Sequence, residues 1–276
     1  MPYDWPPLVP GDTQEVASGV AAVLDDAWRR LTARQALVVA VFADNERAPH
    51  VLATLAEFKR AIEDFHRTVD DEARAFVSRQ LPHLYEEGAT TAAAATGGRF
   101  AWTLIHRDAL QALAADSYDD FLRRSQQAGR VADAFYRAAR AAARREVPLL
   151  AAGNTTARQA ARALADRLAA AGQLEYVVYR NGARVPVRAW AEAATLAKSA
   201  VAYNAGTLNQ AREAGVRYVE VFDGADCGWT AHSDPDKAAR SLRTIEEAAD
   251  WPISHPRCRR GFGPMPVNPS ELAPGP

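Results

Sequence analysis

The chain has 276 residues, 33 basic against 34 acidic side chains for a formal net charge of −1, and 48% hydrophobic residues, many of them alanine. A chain of this length buries a sizeable core, as one large domain or two. Its balanced charge excludes nucleic-acid binding by bulk charge, and the lack of a long apolar run excludes a membrane-spanning helix. Two cysteines do not make a disulfide framework. The first residues, Met1 to Pro7, lack the basic and apolar regions of a secretory signal, so folding in a cytoplasm is expected.

Taken in order, residues 1–12 carry Pro2, Pro6, Pro7 and Pro10, which forbid helix and predict an extended arm bearing Tyr3 and Trp5. From Thr13 apolar residues recur at helical spacing to about Phe42, with a break expected near Leu31-Thr32. A long segment from Pro49 to Glu87 keeps Leu55, Phe58, Ile62, Phe65 and Val69 on one face, and Leu81-Pro82 should interrupt it near its end. Thr90 to Gly98 is small and glycine-terminated and reads as a connection. Trp102 to about Val147 is a second long helix that Pro148 should end, so the two form an elongated αα-hairpin.

Asn154-Thr155-Thr156 caps a further helix to about Ala171. The pattern then changes. Leu174 to Tyr179 is strand-like, Asn181-Gly182 is a strong hairpin signal, and Arg184 to Pro186 answers it. A helix follows from about Val187 to Ala214, closed by Gly215, and then a strand from Tyr218 to Phe222. A last strand in Arg259 to Phe262 should pair beside that one, leaving Ser233 to Trp251 as an excursion. The fold class is α+β: predominantly α-helical with a long αα-hairpin, followed by a small C-terminal domain whose antiparallel sheet packs on a helix. Four regions result: the arm at 1–12, an elongated helical domain at 13–150, a small α+β domain at 151–264, and a disordered Pro-rich tail at 265–276.

Both cysteines fall in the stretch from Arg217 to Pro264, with two of the six histidines. Cys227, His232, His255 and Cys258, spaced C-x4-H and H-x2-C, are the soft and borderline donors a tetrahedral zinc site uses, although the spacing is not a standard zinc pattern. The reading set against it is that the fold simply brings the two cysteines together, as a disulfide or as two reduced thiols. In each reading Cys227 and Cys258 lie close together, with Pro256 fixing a turn before the second.

The same stretch carries a resemblance. Asp223-Gly224-Ala225-Asp226-Cys227-Gly228 followed by His255-Pro256-Arg257-Cys258-Arg259-Arg260 resembles the C-terminal signature of the phage minor capsid, or head-morphogenesis, family typified by the Mu F protein. Tyr179 to Val187 and Ala205 to Ala211 are similar to members from phages of actinobacteria. The likeness covers about Glu175 to Pro264. Trp229, Thr230 and Arg260 stand where many members carry further cysteines, and Ala193-Ala194-Thr195-Leu196 where many carry an Arg-Thr pair. The resemblance implies a virion protein, made in the host cytoplasm and placed inside the capsid. It implies binding to the portal protein and the procapsid interior during assembly, DNA packaging or delivery, with no catalytic residue.

The alternative is a metal-assisted hydrolase of the phage head, a nuclease or a maturation protease. Against it, the chain has no H-E-x-x-H, G-x-S-x-G, phosphate-binding loop or dinucleotide fingerprint, and His50, His66, His83 and His106 follow no ligand spacing. Asp223, Asp226, Asp234 and Asp236 crowd the cysteine loop, where aspartates commonly cap turns. Arg123, Arg130, Arg137 and Arg144 recur every seven residues, almost two helical turns, and so form one drifting stripe. That stripe is a candidate partner surface for phosphates, DNA included, or for an acidic protein; an ordinary solvated face is the other reading.

Overall fold

A computed structural model describes residues 12–43, 48–151, 174, 176–178, 182–222 and 241–265. The expected arm, the tail and the helix near Ala171 lie outside them, apart from the first residue of α1 and the last of β5. Helices dominate: α1 (Asp12–Ala43), α2 (Ala48–Ala75), a π-helical turn (Phe76–Gln80), α3 (Leu81–Ala95), α4 (Leu104–Ala151), α5 (Val187–Glu213) and the short α6 (Ile245–Asp250). The strands are β1 (Tyr176–Val178), β2 (Arg184–Pro186), β3 (Tyr218–Phe222), β4 (Leu242–Thr244) and β5 (Gly261–Met265). The expected class is therefore the observed one: long packed helices with small antiparallel sheets towards the C-terminus.

The chain packs as two units that interleave in sequence, one made of Met1–Val20, Arg74–Tyr118 and Glu192–Pro276, the other of Ala21–Ala73 and Asp119–Ala191. This division cuts across the sequential one expected near residue 150. The αα-hairpin is present in both. In the second unit Phe58 meets Phe135 and His66 meets Ser125. In the first, Arg74 donates to Tyr118 and Tyr85 meets His106. Each step forward along α2 and α3 is matched by a step back along α4, which is the register of antiparallel helices.

Several helix boundaries differ from expectation. No break occurs at Leu31-Thr32, because Leu24, Ala27, Trp28, Leu31 and Val38 are all buried and hold one face through it. Leu81-Pro82 does not end the helical run either. Proline lacks an N–H and its ring crowds the carbonyl four residues back, here Ser78. The backbone answers with the π turn, in which the Leu81 N–H donates to the Phe76 carbonyl, five residues back. Buried residues recur at three- and four-residue steps from Val51 to Phe76, then step five to Leu81.

Thr90 to Ala95 is helix and not connection, since four successive alanines are the best helix formers available. The helix ends at Gly97, whose φ of 73° suits the left-handed cap. Gly98 N–H donates to Ala93 and Gly97 N–H to Ala94, the pair of bonds of a Schellman motif. The same pair closes α5, from Val216 to Ala211 and from Gly215 to Arg212, as Gly215 led one to expect. Helix α4 runs three residues past Pro148, at the cost of the bond that its missing N–H cannot make.

The aromatic core of the second unit is built on Trp28, which meets Phe65 edge-on at 4.3 Å between ring centroids and Trp190 at 6.2 Å. Phe121 meets Trp190 at 6.2 Å. The expected hairpin is there, with β1 antiparallel to β2 from Tyr176↔Pro186 to Val178↔Arg184. In the first unit the sheet order is β4-β3-β5, all antiparallel. Its buried face joins Leu208 and Ala211 of α5, Val219 and Val221 of β3, Ile245 of α6 and Phe262 of β5. β4 and α6 were not expected inside the excursion. A capping box starts α6: Glu247 N–H donates to the Thr244 hydroxyl at 3.2 Å, and Thr244 N–H to the Glu247 carboxylate at 2.9 Å. The Thr244 N–H, and after it the Thr244 hydroxyl at 3.0 Å, donate to the Glu247 carboxylate and hold that carboxyl below its usual range.

Candidate functional site

The last strand pairs where the sequence placed it, beside β3, with Phe222 opposite Gly261 and Tyr218 opposite Met265. The residues that precede β5 therefore sit at the end of β3 from which the first motif departs. His255 to Cys258 is a closed turn: the Cys258 N–H donates to the His255 carbonyl at 2.9 Å. Pro256, second in that turn, fixes the φ the turn needs and has no N–H to waste. Both His255 and Cys258 are buried, and Cys258 makes no disulfide among the described residues.

Asn204 of α5 clamps the loop at both ends, donating to the Pro252 carbonyl at 2.8 Å and the Arg260 carbonyl at 2.9 Å. Arg260, wholly buried, donates to the Trp251 carbonyl at 3.3 Å. Arg257 pairs with Glu192 of α5 at 3.6 Å. The turn is thus a fixed part of the first unit. Of the four residues considered for zinc, Cys227 and His232 lie outside the described residues, and the structure brings His255 and Cys258 together in one turn. Among the described residues no group of three or more metal-ligating side chains forms, so this turn supplies two donors and its described surroundings no third.

Arg123, Arg130, Arg137 and Arg144 are all exposed, on the side of α4 away from buried Phe121, Ala132, Phe135 and Ala139. Arg123 pairs with Asp120 at 3.4 Å. The stripe expected from the sevenfold spacing is a surface feature of the second unit.

Sequence reasoning missed a buried polar chain in the first unit. Asn209 of α5 donates to the Tyr85 hydroxyl at 2.9 Å, and that hydroxyl lies 2.9 Å from His106 Nδ1. His106 Nε2 lies 3.1 Å from the Glu213 carboxylate, which also accepts from the Thr103 hydroxyl. A neutral imidazole protonated at Nε2 satisfies every partner: Tyr85 donates to Nδ1 and Nε2–H donates to Glu213. Burial pushes the Tyr85 phenol up to about 12, against the opposing Asn209 bond, with the Glu213 charge adding to the rise. Tyr85 and His106 are both fully buried, so no substrate reaches either ring. The chain ties α3, α4 and α5 together. No spacing signal could reveal it, because His106 and Glu213 are 107 residues apart.

Beside it α3 and α5 cross at backbone contact. A Cβ on Gly88 would lie 2.0 Å from the Tyr203 carbonyl oxygen, and one on Gly206 2.1 Å from that of Tyr85. Thr207 donates from this crossing to the Gly88 carbonyl at 3.2 Å. No family model matches the chain, and neither does any curated protein or solved structure.

Proposed function

We propose that this chain is a phage minor capsid protein that binds the portal and the procapsid interior during head assembly and DNA packaging or delivery. The observation that carries the reading is the order of its two motifs, D-G-x-x-C-G and then H-P-x-C-R-R, each next to one of two paired strands. The register Phe222↔Gly261 sets the end of β3 beside the start of β5, which the second motif directly precedes. The second resembling stretch, Ala205 to Ala211, supports the same reading. Gly206, Thr207 and Asn209 in it make the helix crossing and the Tyr85 bond, which are packing roles.

The action is binding, with the long helices as reach and the small sheet as a rigid knob. Its test is co-expression of the full chain with a phage portal protein from the same genome. Capture of portal on the tagged chain is the expected result. Failure to capture portal, together with metal-dependent cleavage of DNA or of a capsid protein, would replace this reading with the hydrolase.

A further inference from the structure

The outward face of α4 in the second unit is basic and, over residues 119–145, carries no exposed large apolar side chain. Arg123, Arg130, Arg137, Arg140, Arg144 and Arg145 are exposed there, against Asp119 and Asp133 as the exposed acidic residues of the same span. A protein whose formal charge is −1 thus gathers a local positive excess on one helix. The remaining exposed residues of residues 119–145 are Gln126 and Ala141. Within residues 106–145 no large apolar side chain is exposed.

That absence discriminates between partners. Protein interfaces usually have a desolvated core of aromatic or aliphatic side chains, to which arginines add. Nucleic-acid interfaces are polar, hydrated and strongly basic, and their backbone contacts need no apolar anchor. All six cations are arginines, whose planar fork grips two phosphate oxygens at once. From Arg123 to Arg144 the stripe extends about 32 Å along the helix axis. One turn of duplex is about 34 Å.

We infer that this face of α4 contacts the phosphate backbone of a nucleic-acid duplex without reading its sequence. The face itself carries the inference; only the choice of DNA over RNA rests on the head-assembly reading.

The experiment is fluorescence anisotropy of the full chain with a labelled 30-base-pair DNA duplex of scrambled sequence, titrated across a salt series. Binding should weaken steeply with salt, with a log–log slope of about −4 if four arginines each neutralise one phosphate. Arg130→Glu with Arg137→Glu should lose at least about tenfold in affinity and roughly half the slope, whereas Arg130→Lys with Arg137→Lys should keep most of both. Circular dichroism confirms that these surface variants keep the fold. No binding by the parent chain at about 50 mM salt, or equal binding by the glutamate variant, overturns the inference. So does a glutamate variant that binds DNA as before but no longer captures portal, since the face then serves a protein. Tighter binding to duplex RNA than to DNA would keep the phosphate contact and overturn the choice of DNA.

Discussion

Both units are helical with apolar cores, and the first adds contacts of a more directional kind. The second rests on large rings: Phe58, Phe65, Phe121, Phe135, Trp28 and Trp190 fill its interior. The first has its helices in backbone contact at Gly88 and Gly206, and threads a chain of hydrogen bonds from Asn209 through Tyr85 and His106 to Glu213. Apolar packing is non-directional and accepts other shapes of similar volume. Backbone contact and a buried polar chain accept almost none, because each lost partner leaves a desolvated group behind. The first unit should therefore be the more specified and the second the more tolerant.

The sharpest break in the second unit is Phe58→Ala, which should cost about 4 kcal/mol through lost burial and the cavity left against Phe135. Denaturant unfolding measures it, and Phe58→Leu should recover most of the loss. A leucine variant as damaged as the alanine one would contradict the claimed tolerance.

Next in size is a matched pair of glycine substitutions. Gly88→Ala drives a methyl group into the Tyr203 carbonyl, which cannot move without parting α3 from α5, and should cost about 3 kcal/mol. Gly129→Ala places its methyl 2.3 Å from the His66 ring, a side chain that can rotate away from its 3.0 Å bond to Ser125, so about 1 kcal/mol is expected. Equal losses at the two sites would show that both units yield alike.

An effect smaller than that of Gly88→Ala is the most diagnostic. Tyr85→Phe keeps the ring and removes the bonds to His106 and Asn209, for about 2 kcal/mol. The unfolded chain releases the phenol proton above about pH 10, while the fold holds it to about 12. The stabilisation is complete below pH 10 and is lost as pH rises towards 12, by about 1.4 kcal/mol per pH unit. Tyr203, also raised by burial, adds in the same direction. Thermal melts between pH 9 and 12 should fall more gently for Tyr85→Phe than for the parent chain; parallel curves would remove Tyr85 from the account.

Local chemistry explains what was legible in the sequence. Tyr218 to Phe222 alternates β-branched and aromatic residues and is a strand to the residue, and Gly215 closes α5 as a left-handed cap. Pro256 marked the fixed turn that the Cys258–His255 bond closes. Thr244-x-x-Glu247 is the capping-box signature that starts α6, inside the stretch expected as an excursion. The Tyr85–His106–Glu213 chain was not legible at all. Its members come from three helices, and only the tertiary fold brings them within hydrogen-bond distance.

The π turn at Phe76–Gln80 is, in the language of alignment, a one-residue insertion that the helix has absorbed. Each α-helical residue advances the face by about 100°, so one surplus residue would swing everything after it out of line by that amount. The wide turn takes up the surplus and leaves Leu81, Leu84 and Tyr85 buried in step with Phe76. A chain shortened by one residue here would form a plain, better-bonded α-helix and keep Tyr85 and Gly88 towards α5, because the step from Phe76 to the next buried leucine would fall from five to four. At this place a further insertion, and not a deletion, would put the two faces out of phase.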